Sequence, residues 1–474
     1  MGKHGLATNA AHEFPLDTIV TLSANAPALV SDDTPSPASV STGSQPAMRH
    51  PEVAPAGMFS SLRSRNFRVF VTGQVGSQIG GWTQRIAQDW LVLTITGSAA
   101  VVGVTIALQF LPTLLFGVVG GLAADRFPKR TIMMCTQSVL GLCALAMAAL
   151  CLTDYVELWQ ILTLAFVGGT AAAFDNPTRQ SFVHEMVGPA ELRNGVSINS
   201  AVFNLGALIG PAVSALLITT LGIGWSFMVN AASFALVLLS LAAIRPLELH
   251  LTTALPRGKH QLRTTLTEIR SHPTLLWSVT LAGICALFTS NFAVSLTAYA
   301  KHFQMGPTGY GLLTSALALG SLGGALLIAR RPATRLRNLI ELAGALALAQ
   351  LLTSIAPGPV TLAIALLVLG ACTPPFGVSA NATVQLAAAD GMRGRIMGVY
   401  MLVVMGAAAI GGPIIGTLDE LFGAGTALLV GAAVIGAAAV TIGLRLANVT
   451  NTPVQPILRS HALRVLDWLP DGNR

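Results

Sequence analysis

The chain has 474 residues, of which 53% are hydrophobic and only 10% charged, with a mean hydropathy of +0.67. So few charges cannot cover a soluble surface, which implies a polytopic membrane protein. The formal net charge of +7 does not point to nucleic acid, because the cations sit in short breaks between apolar runs rather than on one face.

Residues 1–57 are rich in Ala, Pro, Ser and Thr and lack the basic start and long apolar core of a signal peptide, so they read as a disordered cytoplasmic tail. Met48 and Met58 are alternative starts for the chain. Apolar segments then recur at 67–94, 99–123, 131–153, 157–175, 194–219, 223–244, 274–300, 307–329, 337–356, 359–381, 394–418 and 423–446. At about 20 residues per crossing each can span the hydrocarbon core. The predicted fold is therefore an all-α membrane protein of twelve transmembrane helices, with halves at 58–244 and 274–446, a cytoplasmic linker at 245–273 and a tail at 447–474.

Segment 1 carries Gln74, Gln78, Arg85 and Asp89, which fall along one face at 3.6 residues per turn. Ionisable groups in mid-membrane cost at least ~2.5–3.5 kcal/mol on insertion scales, so this face should meet the bundle interior or a wet cavity. Two readings stand side by side. In one, Asp89 gains and loses a proton while Arg85 tunes it; in the other, the two form a structural i,i+4 ion pair. Burial and a neighbouring cation act in opposite directions on a carboxyl group.

Between segments 2 and 3, Gly121, Asp125, Arg126, Lys129 and Arg130 form a short basic loop that the positive-inside bias places on the cytoplasmic side. The 4–5 connection holds Asp175 at a predicted helix end with Arg179 after it, either a gate that changes partners or a helix cap; His184 and Glu185 read as solvated. Segment 5 contains Gly206, Gly210 and Pro211, spaced for tight packing and a bend. Asn204 in segment 5, Phe288 and Asn291 in segment 7, Phe376 in segment 10 and Tyr400 and Met405 in segment 11 are candidates, with Gln74 and Gln78, to line a cavity for flat, apolar substrates.

Three matches at nearly one offset relate the halves: Asn176-Pro-Thr-Arg-Gln180 to Asn381-Ala-Thr-Val-Gln385, Pro211 to Pro413, and Gly120-Gly121 to Gly323-Gly324, at 205, 202 and 203 residues. Parallel six-helix repeats give this pattern. The second copy of the basic loop, Arg330 to Arg337, lacks the Asp. Leu458 to Leu469 reads as an amphipathic helix on the inner membrane surface. Apart from Lys301 and Arg85, the other 25 of 27 Lys and Arg fall on the inner side or in the tails, so both termini are expected in the cytoplasm, with Asp419-Glu420 in an outer loop. Cys135, Cys143, Cys151, Cys285 and Cys372 all lie in apolar runs without metal-ligand spacing, and no disulfide, metal or other cofactor is expected.

The pattern Gly-x-x-x-Asp-Arg-x-x-Lys-Arg at Gly121–Arg130 resembles the signature loop of major facilitator superfamily transporters, with Pro128 where the family usually has Gly. Gly206-x-x-x-Gly210-Pro211 resembles the core of the superfamily's proton-antiporter motif, although Ser214 and Ala215 stand where two further Gly are frequent. Together with Trp82–Leu91, Asp175–Gln180 and Met392–Met397, these residues make 59–446 similar to the superfamily's bacterial exporter branch. The resemblance implies a monomeric, non-enzymatic inner-membrane exporter of small molecules, driven by protons through alternating access, with the loop stabilising an outward-open state. An exporter of siderophores or endogenous metabolites shares every motif, and Arg85 then binds an anionic group. A non-transporting membrane sensor is the reading from another class.

Overall fold

A computed structural model describes residues 60–250, 261–328, 336–388 and 392–450. The predicted tails at 1–57 and 458–469, Arg257 and Lys259 of the linker, and most of the loop at 330–337 lie outside the described residues.

The first half consists of α1 (Arg65–Thr96), α2 (Ala99–Arg126), α3 (Lys129–Leu152), α4 (Leu158–Gly188), α5 (Asn194–Thr220) and α6 (Gly224–Ala243). A short linker helix, Gln261–Ser271, precedes α7 (Pro273–His302), α8 (Gly306–Ile328), α9 (Leu336–Ser354), α10 (Pro359–Ala387), α11 (Arg393–Phe422) and α12 (Thr426–Thr450). Eleven of these helices are long and apolar enough to cross a membrane. The twelfth is α1, whose 32 residues are long enough but whose amides and charges lower its hydropathy. Its polar groups face inward: Gln74, Gln88 and Asp89 are buried, whereas Leu142, Leu216, Leu239 and Leu312 on other helices are exposed, as lipid-facing side chains are.

Local chemistry sets the ends. Ser64 and Ser98 cap α1 and α2, accepting from the amides of Phe67 and Val101. Gly97 closes α1 at φ 66°, a left-handed conformation glycine adopts without strain, and returns its N–H to Leu93. Arg130 donates to the carbonyls of Leu241 and Ala242 at 2.7 and 2.9 Å, satisfying the last turn of α6 with a cation at its negative end.

The largest departure from the sequence reading is α4. It does not end at Asp175 but runs through Pro177 to a break at Gly188. Pro177 has no N–H to give the carbonyl of Ala173, and Gly120 of α2 fills the space beside that carbonyl, where a side chain would collide. The second half repeats the device: Pro375 of α10 leaves the Ala371 carbonyl without its helical donor, and Gly324 of α8 sits against it. The predicted Gly120–Gly323 match is thus shifted by one position in space, with Gly324 as the equivalent of Gly120. Asp419 and Glu420, expected in a loop, belong to the last turn of α11.

Within each half the packing is reciprocal, α1 on α5 and α6, α2 on α4, α3 on α4 and α6, then α8 on α10, α9 on α10 and α12. The halves meet where α2 lies along α11 and α5 along α8. Gly103 and Gly412 approach so closely that a Cβ on either would enter the other's backbone carbonyl. Helix α7 breaks at Ser290 and Asn291, and the Asn291 amide donates to the Ala408 carbonyl of α11 at 2.9 Å.

Candidate functional site

Four consecutive turns of α1 organise the interior. Gly206 of α5 packs against the backbone of Gln78, and Gly210 against Trp82 and Thr83, so that Thr83 donates to the Gly210 carbonyl at 3.2 Å. The Gly206, Gly210, Pro211 stretch therefore holds the part of α1 that leads directly into Arg85 and Asp89.

Those two residues do not pair with one another. Arg85 lays its guanidinium over the Trp82 ring, 4.8 Å from the centroid. Asp89 is fully buried, accepts from the Tyr310 hydroxyl of α8 at 3.0 Å, and leaves its other oxygen without a hydrogen-bond partner. Trp90 stacks on Tyr310 at 6.1 Å. A carboxyl group of the first half is thereby tied to a phenol of the second.

A cavity of about 240 Å³ opens beside Arg85. Its polar wall includes Gln84, Arg85, Gln88, Gln109, Asn176 and Asn230; its apolar wall includes Phe110, Leu140, Met147 and Phe234. Among the described residues, Met405 of α11 is the sole lining residue from the second half. Of the remaining cavity candidates, Gln74 is buried with neither amide atom hydrogen-bonded, and Asn204 donates to Ser200 within its own helix. Phe288, Asn291, Phe376 and Tyr400 are all buried in the second half, and with Gln78 none of them lines this cavity.

At the end carrying the basic loop, Asp125 and Arg126 are exposed and nothing crowds Gly121. Lys129 forms an ion pair at 2.6 Å with Glu185, whose side chain is 5% exposed. Glu185 is thus buried rather than solvated, and its carbonyl accepts from His250. Asp175 is buried mid-helix: one oxygen accepts from Thr136 and Gln137, both at 2.9 Å, and the other pairs with Arg179. Removing Lys129 strands a buried charge, which costs about 3–5 kcal/mol. Lys129→Ala should therefore lower the unfolding temperature of the purified protein markedly, and Lys129→Ala/Glu185→Gln should recover part of the loss; equal melting of single and double variants would show the pair to be idle.

At the opposite end, Glu420 accepts from Ser98 and from the Ala100 amide, and Lys301 donates to the Gly97 carbonyl, joining the halves again. Asp419 accepts from Ser295 at 2.6 Å and from the Ala427 amide at 2.9 Å. Tyr310 carries no signal in the sequence, while Glu185 reads there as solvated and Asp419 as part of an outer loop. A Tyr or an acid one turn from a segment end looks like an interfacial anchor, and only the partner helix reveals its role.

Residues 56–465 match the family described as transmembrane secretion effector. The multidrug efflux pump Tap of Mycolicibacterium fortuitum is 28% identical over 353 residues, covering 71% of this chain and 85% of Tap. The enterobactin exporter EntS of Escherichia coli O1:K1 / APEC is 26% identical over 353 residues, 73% of this chain and 80% of EntS. The crystal structure of the nucleoside transporter NupG covers 81% of this chain and 99% of its own at a TM-score of 0.63 and 13% identity. At that identity the likeness concerns the fold.

Proposed function

Because the chain belongs to the transmembrane secretion effector family, within the major facilitator superfamily, we propose that it exports small molecules, drugs or hydrophobic metabolites, from the bacterial cytoplasm by proton antiport. The fold itself serves importers as well, so direction rests on the relatives: Tap is named a multidrug efflux pump and EntS an enterobactin exporter. One observation carries the mechanism. A cavity beside Arg85 lies against α11, while the halves are pinned together at the end where Gly103 meets Gly412 and Ser98 meets Glu420. That arrangement supports the reading of an alternating-access state closed at one end of the bundle.

The cation distribution supports cytoplasmic termini, so the pinned end faces outward and this state receives substrate from inside. Asp89 carries the coupling proton, and its bond to Tyr310 reports the closed outer end. Rocking of the halves, at boundaries 58–244 and 274–446, breaks that bond and exposes the cavity outward. The Gly121–Arg130 loop then stabilises the outward-open state, and Asp175–Arg179 serves as a gate beside it. The protein acts as a monomer in the inner membrane, with substrate, protons and lipid as its partners.

The test is efflux of a panel of dyes, antibiotics and siderophores from a pump-deficient bacterium, with and without a protonophore. Expression should lower accumulation of at least one compound, and the protonophore should restore it. Efflux indifferent to the protonophore would remove proton coupling, and no efflux of any compound would count against export.

A further inference from the structure

We propose that the cavity beside Arg85 selects organic anions: a carboxylate, phenolate or sulfonate group on an apolar body, with Arg85 as the residue that takes the charge. The proposal deepens the exporter reading by naming the substrate class and rests on it for the cavity's purpose.

Three observations converge. First, among the described residues Arg85 is the one charged residue lining the cavity, with no Asp, Glu or Lys beside it in the lining. A cationic substrate would meet a like charge with no acid to offset it.

Second, no carboxylate of the described residues is within ion-pair distance of Arg85; the ion pairs join other residues. The nearest acid along the helix, Asp89, is engaged by Tyr310 of the opposite half. Stacking on Trp82 positions the guanidinium but leaves its N–H groups to other acceptors. An arginine in a transmembrane helix whose nearest acid, Asp89, lies beyond ion-pair distance remains costly, and a bound anion in direct contact repays part of that cost.

Third, a neighbouring amide is arranged as a donor. Asn230 donates to the Gln84 side-chain carbonyl at 2.6 Å, which turns the Gln84 NH₂ to other acceptors. Gln88, 6% exposed and on the cavity wall, adds a second amide one turn from Gln84. The facing wall of Phe110, Met147, Phe234 and Met405 suits a flat apolar body. Gly81 lines the same space with nothing within 4 Å of where a side chain would begin.

The experiment is calorimetric titration of the purified full chain in detergent with two probes of one shape and opposite charge, 2-naphthoate and (2-naphthylmethyl)trimethylammonium. Wild type should bind the naphthoate at least about tenfold more tightly than the cation, a difference of ~1.4 kcal/mol. Arg85→Gln should erase that preference and Arg85→Lys should keep part of it. Gly81→Leu, which fills the cavity without touching the charge, should weaken naphthoate binding about tenfold or more. Equal or cation-favouring affinities in wild type, no naphthoate binding at all, or unchanged naphthoate affinity in both Arg85→Gln and Gly81→Leu would overturn the proposal. The wild-type comparison stands even if a variant fails to fold. Binding is read without transport, so intact anion preference in a protein that exports nothing from cells would overturn the exporter reading and uphold the site.

Discussion

Asp89→Asn should reduce protonophore-sensitive efflux to the level of cells lacking the protein, while leaving the protein folded and inserted. Asn is nearly isosteric and its side-chain oxygen can still accept the Tyr310 hydroxyl, which lies 3.0 Å from Asp89. What it cannot do is exchange a proton, so the substitution separates carrying a proton from tying two helices together. Tyr310→Phe makes the opposite cut. It removes one hydrogen bond between the halves, worth about 0.5–1.5 kcal/mol to a neutral partner and about 1.5–3 kcal/mol to a charged one. Efflux should slow several-fold yet remain protonophore-sensitive, and the double variant should be no worse than Asp89→Asn alone. Full, protonophore-sensitive efflux by Asp89→Asn would move the coupling site off α1. Additive losses in the double variant would show that the two side chains act independently.

Gly103→Leu should abolish efflux, because its side chain would be driven into the Gly412 carbonyl at the seam between α2 and α11. Overpacking a close contact ordinarily costs about 1–3 kcal/mol, and here that cost falls only on the state in which this end is shut. The variant should accumulate with the end open, so that a single cysteine near Gly97 reacts faster with a membrane-impermeant maleimide than in the unmodified background. Gly117→Leu is the control on the same helix, since the only atom near its added carbon is Thr113 Cγ2 at 3.8 Å. Comparable efflux by both variants would show that the Gly103–Gly412 contact does not limit the cycle.

Much of the architecture is readable because membrane crossing is a local constraint: length, apolar content and the breaks between runs place eleven helix starts within two residues of those observed, such as Ala99 and Asn194. The exceptions are tertiary. Asp175 and Pro177 look like a helix end because a buried carboxylate and a proline both oppose a continuing helix. The end is averted by groups far away in sequence, Thr136 and Gln137 supplying donors and Gly120 sitting against the free carbonyl. The polar face of α1 was visible as a periodicity, and its members do turn inward. Which neighbour each one meets was not visible, since a helical wheel carries no information about the opposing helix. Arg85 and Asp89 are one turn apart and suggest a pair, whereas Trp82 and Tyr310 take them in different directions. The aromatic candidates of the second half stand out only by the helices they occupy. Phe288, Phe376 and Tyr400 instead fill the packing within that half, because residue type alone does not distinguish a wall from a core.

Among the described residues, Met405 gives the cavity its one contact with the second half. In the rocking cycle proposed above, a molecule seated there would keep nearly all of its neighbours throughout, as a passenger carried by the first half. Its affinity then need not be rebuilt when access switches sides. The switch would instead be felt as a change in what water and lipid can reach, with a single flexible thioether sliding past. Such a carrier can accept cargo of varied outline, because the moving partner reads almost none of it.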